Sequence, residues 1–203
     1  GVGDNYPSQI LKNSIVRFLK KISVKKIALR RKKAVDAISS AGIKLRFVNG
    51  GGTGSLETTR EEECVTEVTA GSGFYSSALF DNYSNFKHLP AAGFAIEIVR
   101  KPEENIYTCH GGGYIASGPV GADKQPLPYL PQGMKYCANE GAGEVQTPLI
   151  YSGNEKLAPG DPVFMRHSKA GELCERFNSL YIVSKGKIID LVKTYRGEGQ
   201  CFL

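Results

Sequence analysis

The sequence predicts an α/β segment followed by a mostly antiparallel β segment. In the first part, helical patterns alternate with short apolar strands, and a glycine-rich loop follows each strand. Such alternation is typical of a parallel α/β barrel or sheet. After Tyr75 the apolar residues alternate with polar or small ones, and turn signals separate the runs. That second pattern is typical of antiparallel strands.

Two amphipathic helices are predicted at the start of the chain. Residues 8–22 carry apolar side chains at a spacing of three to four, which indicates one helix. Its apolar positions are Ile10, Leu11, Ile15, Phe18, Leu19 and Ile22. Ser23 is suited to cap a second helix that extends to about Ser40, where Gly42 ends it.

Two glycine-rich loops follow predicted strands. Strand 43–49 leads into loop 50–54, a short helix is expected over 55–63, and strand 64–69 leads into loop 71–73. Successive glycines can aim several backbone N–H groups into one concavity, which binds phosphate. In parallel α/β folds, ligands collect at the carboxyl ends of strands. Plain flexible turns are the alternative interpretation.

The second half is predicted to form short antiparallel strands. They cover 94–98, 104–109, 135–139, 145–151 and 161–167. Residues 126–133 contain turn signals. The apolar runs 180–183 and 187–192 flank Lys185 and Gly186, which predicts a hairpin. We expect no helix of substance in this half.

The composition favours a soluble globular protein in the cytoplasm. The chain has 203 residues and is 41% hydrophobic, and no apolar run approaches the roughly 18 residues of a membrane span. Its five cysteines are widely spaced, without a Cys-x-x-Cys pair, which indicates reduced thiols. The sequence begins Gly-Val-Gly-Asp, which is neither a signal peptide nor an initiator methionine, so we expect residue 1 to be internal to a longer chain.

The net charge of +6 is concentrated at the start of the chain. Residues 1–40 hold ten Lys and Arg against two Asp, whereas the other 163 residues hold 16 basic and 18 acidic side chains. The basic residues recur at helical spacing opposite the apolar ones, which favours a solvated helix face. No aromatic residues interleave them as a nucleic-acid stacking platform would require. We expect neither a nucleic-acid partner nor a membrane.

Seven sequence blocks jointly resemble a known family. They lie at 49–55, 66–75, 79–83, 110–119, 140–148, 166–177 and 194–199. These blocks resemble the alanine racemase-like, fold-type III pyridoxal phosphate enzymes. The similar branch is that of D-threonine aldolase and D-serine dehydratase, often labelled amino acid deaminase/aldolase. The resemblance implies the C-terminal portion only: the last strands and helices of a TIM-type (β/α) barrel over 1–78, then an antiparallel, D-serine dehydratase-like β domain over 79–203.

The resemblance implies a site for pyridoxal 5′-phosphate. Backbone groups of the two glycine loops would hold the phosphate, and Tyr75 would lie near the cofactor. The implied cofactor-binding residues are Gly50, Gly51, Gly52, Thr53, Gly54, Gly71, Ser72, Gly73 and Tyr75. The resemblance also implies a homodimer, in which the β domain presses on the barrel mouth of the partner subunit. The implied reaction is aldol cleavage or dehydration of a D-3-hydroxyamino acid, in which the cofactor accepts electrons.

Two departures from the family pattern concern activity. In this family the lysine that binds the cofactor lies on the first barrel strand. The match of this sequence begins after the sixth barrel strand, so we expect that lysine to be absent. The lysines nearest to the matched blocks are Lys124 and Lys169. The family's divalent ion is held by a His and an Asp or Cys two residues on. Here the pair is His167 and Lys169, and an ammonium cannot ligate a cation. We therefore predict no metal site, with the hypothesis that Lys169 replaces the ion electrostatically.

The candidate catalytic residues are His167, Lys169 and Glu144. The ordinary pKa of a histidine lies near neutrality, which suits His167 to acid–base catalysis; a hydrogen-bonded structural histidine is the alternative. Glu144 lies in a loop that resembles the family's substrate-facing segment, so its carboxylate would contact substrate or orient His167, with turn chemistry as the alternative. We expect part of a lyase that is inactive by itself. A non-catalytic remnant that dimerises or binds phosphate ligands is the alternative.

Overall fold

The computed structural model describes residues 3–119 and 121–200. These residues form two compact units. The first unit extends up to Phe74 and also includes Phe80–Leu89, whereas the second takes Tyr75–Leu79 and continues from Pro90. Across the described residues, every helix is too short or too polar to cross a membrane.

One long helix, α1, extends over Ile10–Ser40 in the first unit. The prediction of two helices with a break at Ser23 was wrong, because the chain there contains neither Gly nor Pro and a serine is tolerated inside a helix. Gly42, with a φ of 76°, follows the end of the helix as predicted. Many apolar side chains of α1 are exposed, namely Ile10, Leu11, Ile15, Phe18, Leu19, Ile22, Ile27 and Leu29.

Asp4 connects the start of the chain to α1 and to a later loop. Its side chain is only 5% exposed, and its Oδ2 lies 3.0 Å from Lys20 Nζ. Its Oδ1 accepts a hydrogen bond of 2.9 Å from the backbone N–H of Ser84. Burial opposes ionisation, but the hydrogen bonds from Lys20 and Ser84 prevail and hold the pKa of Asp4 below its ordinary value. Some of the basic residues of α1 therefore support the fold.

Replacing Asp4 with asparagine is expected to lower the free energy of unfolding at pH 7 by about 1 to 2 kcal/mol, because Lys20 loses a buried partner. Urea unfolding measures the loss. Asp36→Asn is the matched control: Asp36 pairs with Lys32 on the exposed face of α1, where an ion pair contributes about 0.5 kcal/mol or less. Since the pKa of Asp4 is lower in the folded state, its stabilisation is present above the ordinary aspartate pKa and disappears as the pH falls through the lowered value. Equal losses in the two variants would contradict the anchoring role.

The first unit contains two short strands, β1 (Asn49–Gly50) and β2 (Glu67–Val68), which pair in parallel. Parallel pairing agrees with the sequence prediction, but strands 43–49 and 64–69 were predicted too long. Within the described chain, β1 pairs with no strand other than β2. The apolar residues that precede β1 therefore have no neighbouring strand to pack against. Ile43, Leu45 and Phe47 are accordingly exposed.

Short helical turns follow these strands. The helix predicted over 55–63 is a 3-10 turn, Thr53–Ser55, followed by one α-helical turn, α2, over Leu56–Thr59. Further 3-10 turns lie at Ser72–Phe74 and Ala78–Asn82. The glycine loops thus pass directly into helical turns.

The second unit is built on a six-stranded antiparallel sheet. In chain order its strands are β3 (Phe94–Glu103), β4 (Ile106–His110), β5 (Leu127–Leu130), β6 (Met134–Tyr136), β7 (Gln146–Tyr151) and β8 (Pro162–Arg166). Their order across the sheet is β5-β8-β3-β4-β7-β6. Tyr136 Oη donates a 2.6 Å hydrogen bond to the carbonyl oxygen of Pro126, so the two edges approach each other and the sheet is nearly closed. Alternate side chains form the core, including Ile96, Ile98, Leu149, Val163 and Met165.

Two predictions for the second unit were wrong. Residues 126–133 were predicted as a turn, but they contain the edge strand β5. A proline has no backbone N–H to donate to a neighbouring strand, and it is tolerated at the edge of a sheet. The second half also contains a helix, α3, over Ala170–Arg176. It follows β8 and carries Leu173 and Cys174 on its buried face.

A two-stranded hairpin lies near the end of the described chain. It consists of β9 (Ser179–Ser184) and β10 (Lys187–Lys193), joined by Lys185 and Gly186, which both have positive φ values of 49° and 72°. This is the predicted hairpin, and those φ values fit a type I′ turn. The cross-strand neighbours on one face are Val183 with Ile188 and Tyr181 with Leu191. All four of these side chains are exposed.

Candidate functional site

Two runs of backbone amides follow β1 and β2 in the first unit. Asn49 lies opposite Glu67 and Gly50 opposite Val68 in the parallel pair, so both glycine loops begin at the same edge. The N–H groups of 51–54 and of 71–73 have no hydrogen-bond acceptor within the described parts of the chain. Neighbouring amide donors of this kind are suited to bind an anion such as phosphate.

Close packing makes glycine necessary in these loops. A Cβ atom on Gly54 would lie 2.6 Å from a ring carbon of buried Tyr83, which is too close for any side chain. A Cβ atom on Gly73 would lie 3.3 Å from Thr53 Oγ1, so the two loops lie side by side. Gly51 has a φ of 90°, a conformation that other residues rarely adopt. The structure therefore brings the predicted phosphate-binding residues of both loops together.

A second group of candidate residues lies in the second unit, where residues 75–79 run beside the end of β8. The backbone N–H of Ala78 donates to the carbonyl oxygen of His167 at 3.0 Å. Arg166 Nη2 donates to the carbonyl oxygen of Ser76 at 2.9 Å, and Ser76 has a positive φ of 50°. Such strained residues cluster at functional sites. These hydrogen bonds hold residues 75–79, which include Tyr75 and Ser77, next to His167.

Tyr75 packs edge-to-face against His167, with 6.1 Å between the ring centroids. Its hydroxyl oxygen accepts a hydrogen bond from Cys174 Sγ at 3.6 Å. The adjoining sulfur of Cys174 and burial both disfavour the phenolate and so raise the pKa of Tyr75. The phenol therefore stays protonated at neutral pH and can donate a hydrogen bond.

His167 is 2% exposed and follows β8 directly. The pKa of His167 is lowered to about 4. Burial is the main cause, and the neighbouring Arg166 charge acts in the same direction. The charge of Glu172 and the backbone of Ala92 act in the opposite direction. The imidazole is therefore neutral at physiological pH. Neither Nδ1 nor Nε2 has a partner with hydrogen-bond geometry within the described chain, so the contact with Ala92 is not a formed hydrogen bond. This argues against a structural histidine held by hydrogen bonds from the described residues.

Two more buried oxygen atoms share this feature. Ser77 Oγ and Glu172 Oε2 are buried and have no hydrogen-bond partner among the described residues. Buried polar atoms are nearly always hydrogen-bonded, because an unpaired one costs about 1 to 3 kcal/mol. Together with the ring nitrogens of His167, these oxygens are polar atoms of the second unit that a bound polar molecule could satisfy.

Lys169 holds a loop against the start of α3. Its Nζ donates to the Ser117 carbonyl oxygen at 2.6 Å and lies 3.3 Å from Ser117 Oγ. The Ser117 N–H in turn donates to Glu172 Oε1 at 2.7 Å. Lys169 is the residue that precedes α3, and Glu172 lies in its first turn. The ammonium group is thus fixed by backbone and hydroxyl oxygens and is only partly exposed.

Glu144 lies in an exposed loop of the second unit. This loop packs against the glycines that follow β4, since a Cβ atom on Gly113 would lie 2.6 Å from the Gly143 carbonyl carbon. Buried Thr147 closes it: its Oγ1 accepts from the Gly143 N–H at 3.2 Å and donates to the Gly111 carbonyl oxygen at 2.5 Å. The carboxylate whose charge acts on His167 is that of Glu172. The sequence prediction overlooked Glu172, although its place three residues after Lys169 is a common position for a helix-capping glutamate.

The described residues contain no cluster of three or more His, Cys, Asp or Glu side chains that could hold a metal ion. Cys109 is fully buried in the core, and burial raises the pKa of its thiol to about 11. This cysteine is therefore an apolar core residue and not a nucleophile.

Comparisons with known proteins identify the fold. No family model and no curated protein sequence matches the chain. The structure is similar to D-threonine aldolase from Filomicrobium marinum, with a TM-score of 0.72 and 17% identity over 87% of this chain and 48% of the aldolase. It is also similar to D-threo-3-hydroxyaspartate dehydratase from Delftia sp. HT23, with a TM-score of 0.62 and 16% identity over 85% of this chain and 51% of the dehydratase.

An alanine racemase-like protein from Idiomarina loihiensis matches with a TM-score of 0.58 and 16% identity, over 84% of this chain and 50% of that protein. The chain thus spans about half the length of the structures it matches. These neighbours are the classes of protein that the seven sequence blocks resemble. The chain therefore has the fold that these three structures have over about half of their length.

Proposed function

We propose that this chain forms the phosphate-binding, C-terminal part of a pyridoxal phosphate-dependent lyase that acts on D-3-hydroxyamino acids. One observation carries the proposal: two neighbouring runs of backbone amides without acceptors follow a parallel strand pair. The aldolase and the dehydratase that share the fold support the class of substrate. The reaction is aldol cleavage or dehydration with deamination.

The chain's own residues suit the phosphate of this cofactor. The N–H groups of 51–54 and 71–73 would bind its oxygens, and the half-exposed hydroxyl of Ser72 adds a donor. Gly50 contributes its carbonyl oxygen to the strand pair, where it accepts from the Thr69 N–H at 3.3 Å, and so fixes where the first loop begins. When bound, pyridoxal phosphate supplies an electron sink for a bond broken at the substrate's α-carbon.

The second unit supplies groups for the substrate. In aldol cleavage the neutral ring of His167 can accept the proton of the substrate's β-hydroxyl as the Cα–Cβ bond breaks. Burial beside Arg166 destabilises the resulting imidazolium, which favours return of that proton to the α-carbon of the amino-acid product. In dehydration the leaving hydroxyl instead needs a proton, which the ammonium of Lys169 can supply. The ammonium of Lys169 favours negative charge that develops on that oxygen. The protonated phenol of Tyr75 can donate a hydrogen bond to a bound ligand, and the exposed Glu144 would contact the substrate from its loop.

We further propose that β1 and β2 are the last strands of a (β/α) barrel whose other strands are not among the described residues. The exposed apolar side chains of α1 and of residues 43–47 support this, since the missing strands would cover them. The chain alone is then inactive, and the active form is a cytoplasmic homodimer of the completed protein. Analytical ultracentrifugation measures the oligomeric state directly.

Binding of the cofactor tests the proposal. Isothermal titration of the chain with pyridoxal 5′-phosphate is expected to show stoichiometric binding, whereas pyridoxal without its phosphate binds at least about tenfold more weakly, since the amides contact only the phosphate. Gly51→Ala is expected to weaken binding of the phosphate ester. Gly42→Ala is the matched control, because Gly42 also has a positive φ but lies after α1, away from both loops.

Three results separate the alternatives. Equal affinity for pyridoxal and its phosphate, or equal effects of the two glycine variants, would contradict the phosphate site. Phosphate-dependent binding without turnover of D-threonine or D-serine, even when the rest of a barrel is supplied, would support a non-catalytic remnant. Turnover of the D-isomers but not of the L-isomers by the completed protein would support the lyase.

A further inference from the structure

The residues around His167 differ in charge from the residues that were replaced in two variants of the similar dehydratase. Two variants of the similar dehydratase, one with a histidine and one with a cysteine two positions further replaced by alanine, also share the fold, and the cysteine variant is a metal-free form. In this chain the residue two positions after His167 is Lys169. A thiolate or carboxylate donates a lone pair to a metal, whereas a lysine ammonium has none to donate.

The contacts of Lys169 fix its ammonium group on a neighbouring loop. Its Nζ is held by the carbonyl and hydroxyl oxygens of Ser117 at 2.6 and 3.3 Å. Glu172 holds the same loop residue through its N–H. The two oxygen atoms of Ser117 are therefore already bound by the Lys169 ammonium and are not free to bind a metal ion.

Arg166 adds a second positive charge. It is buried, is adjacent to His167 in sequence, and its guanidinium donates to Ser76. Its charge lowers the stability of the protonated His167 ring, and it opposes a divalent cation at the same nitrogen for the same reason. The carboxylate whose charge acts on His167 is that of Glu172, and its Oε1 already accepts from the Ser117 N–H. One imidazole and one partly engaged carboxylate beside a buried guanidinium make a poor site for a dication.

We propose that the residues around His167 do not fit a divalent ion, so that this protein binds no metal at His167. The Lys169 ammonium supplies one positive charge at a position set by Ser117. Metal binding is measured directly on the chain, so the outcome does not depend on the proposed cofactor.

The test restores the missing ligand. Lys169→Asp creates a His-x-Asp pair and removes the ammonium, and the shorter side chain leaves room beside the ring. Lys169→Met is the control, since it removes the charge without adding a ligand. Each variant and the original chain are titrated with Mn²⁺, and binding is measured by calorimetry and by thermal unfolding. Mn²⁺ is chosen because it prefers oxygen and nitrogen ligands over the sulfur of cysteine.

We expect the original chain and Lys169→Met to bind no stoichiometric Mn²⁺. Lys169→Asp should bind one equivalent of Mn²⁺, with an affinity roughly tenfold or more above the weak binding of the other two proteins. Its unfolding temperature should rise with Mn²⁺. EDTA should reverse this rise, and His167→Gln should abolish it. Stoichiometric Mn²⁺ on the original chain that His167→Gln removes would overturn the proposal. A folded Lys169→Asp variant that binds no more Mn²⁺ than Lys169→Met would overturn it as well.

Discussion

The second unit is expected to lose about 3 kcal/mol of stability as the pH falls from 6.5 to 4, because of His167 alone. The pKa of its ring is about 4 in the folded protein and near 6.5 when unfolded. Between these values the unfolded state binds a proton that the folded state does not, so acid favours unfolding. Above pH 6.5 both states are neutral at this ring and the contribution is constant. Urea unfolding at a series of pH values measures the slope.

His167→Gln removes this titration and should flatten the slope between pH 4 and 6.5. His110→Gln is the control, since His110 is exposed at the end of β4 and should leave the slope unchanged. The difference in slope between His167→Gln and His110→Gln then measures the contribution of His167. An NMR titration of the His167 ring with a pKa above about 6 would contradict the expectation.

Replacing Gly143 with alanine is expected to lower the free energy of unfolding by about 3 kcal/mol or more. A Cβ atom there would overlap the carbonyl oxygen of Gln146, a backbone atom that cannot rotate away. Gln146 begins β7 and pairs with His110 of β4, so relief of the overlap would disturb that pairing. It would also pull the Gly143 N–H away from Thr147 Oγ1. Thermal and urea unfolding measure the loss.

Gly171→Ala is the matched control for this change. Gly171 lies inside α3, and a Cβ atom there would have no heavy atom within 4 Å beyond its chain neighbours and the backbone of the helix itself. Alanine also favours the helix by up to about 1 kcal/mol relative to glycine, so this variant should be as stable as the original or slightly more so. If Gly143→Ala lost no more stability than Gly171→Ala, the loop that carries Glu144 would be free to move.

Features fixed by local chemistry were predictable from the sequence. The hairpin follows from Lys185 and Gly186 between two apolar runs, because a two-residue turn needs positive φ values and glycine supplies one readily. The loops 50–54 and 71–73 follow from successive glycines at strand ends. Both features depend on neighbouring residues, and the structure contains both.

Features fixed by distant contacts were not predictable in this way. β5 contains Pro128 and resembles a turn until its position at the sheet edge beside β8 is known. The continuity of α1 through Ser23 was missed because a good cap residue and a tolerated helix residue look the same in sequence. At the candidate site, His167 and Lys169 were found from sequence, whereas the charge of Glu172 on His167 arises only when α3 folds back behind β8.

The hairpin of β9 and β10 affects how the protein behaves when many copies are crowded together. Its strands pair only with each other within the described residues, so their outer edges are open to strand addition from another molecule. Tyr181, Val183, Ile188 and Leu191 would make such addition favourable. Lys185, Lys187 and Lys193 place like charges around the ribbon and keep copies apart. Salt that screens these lysines weakens the repulsion and thereby promotes precipitation through this ribbon.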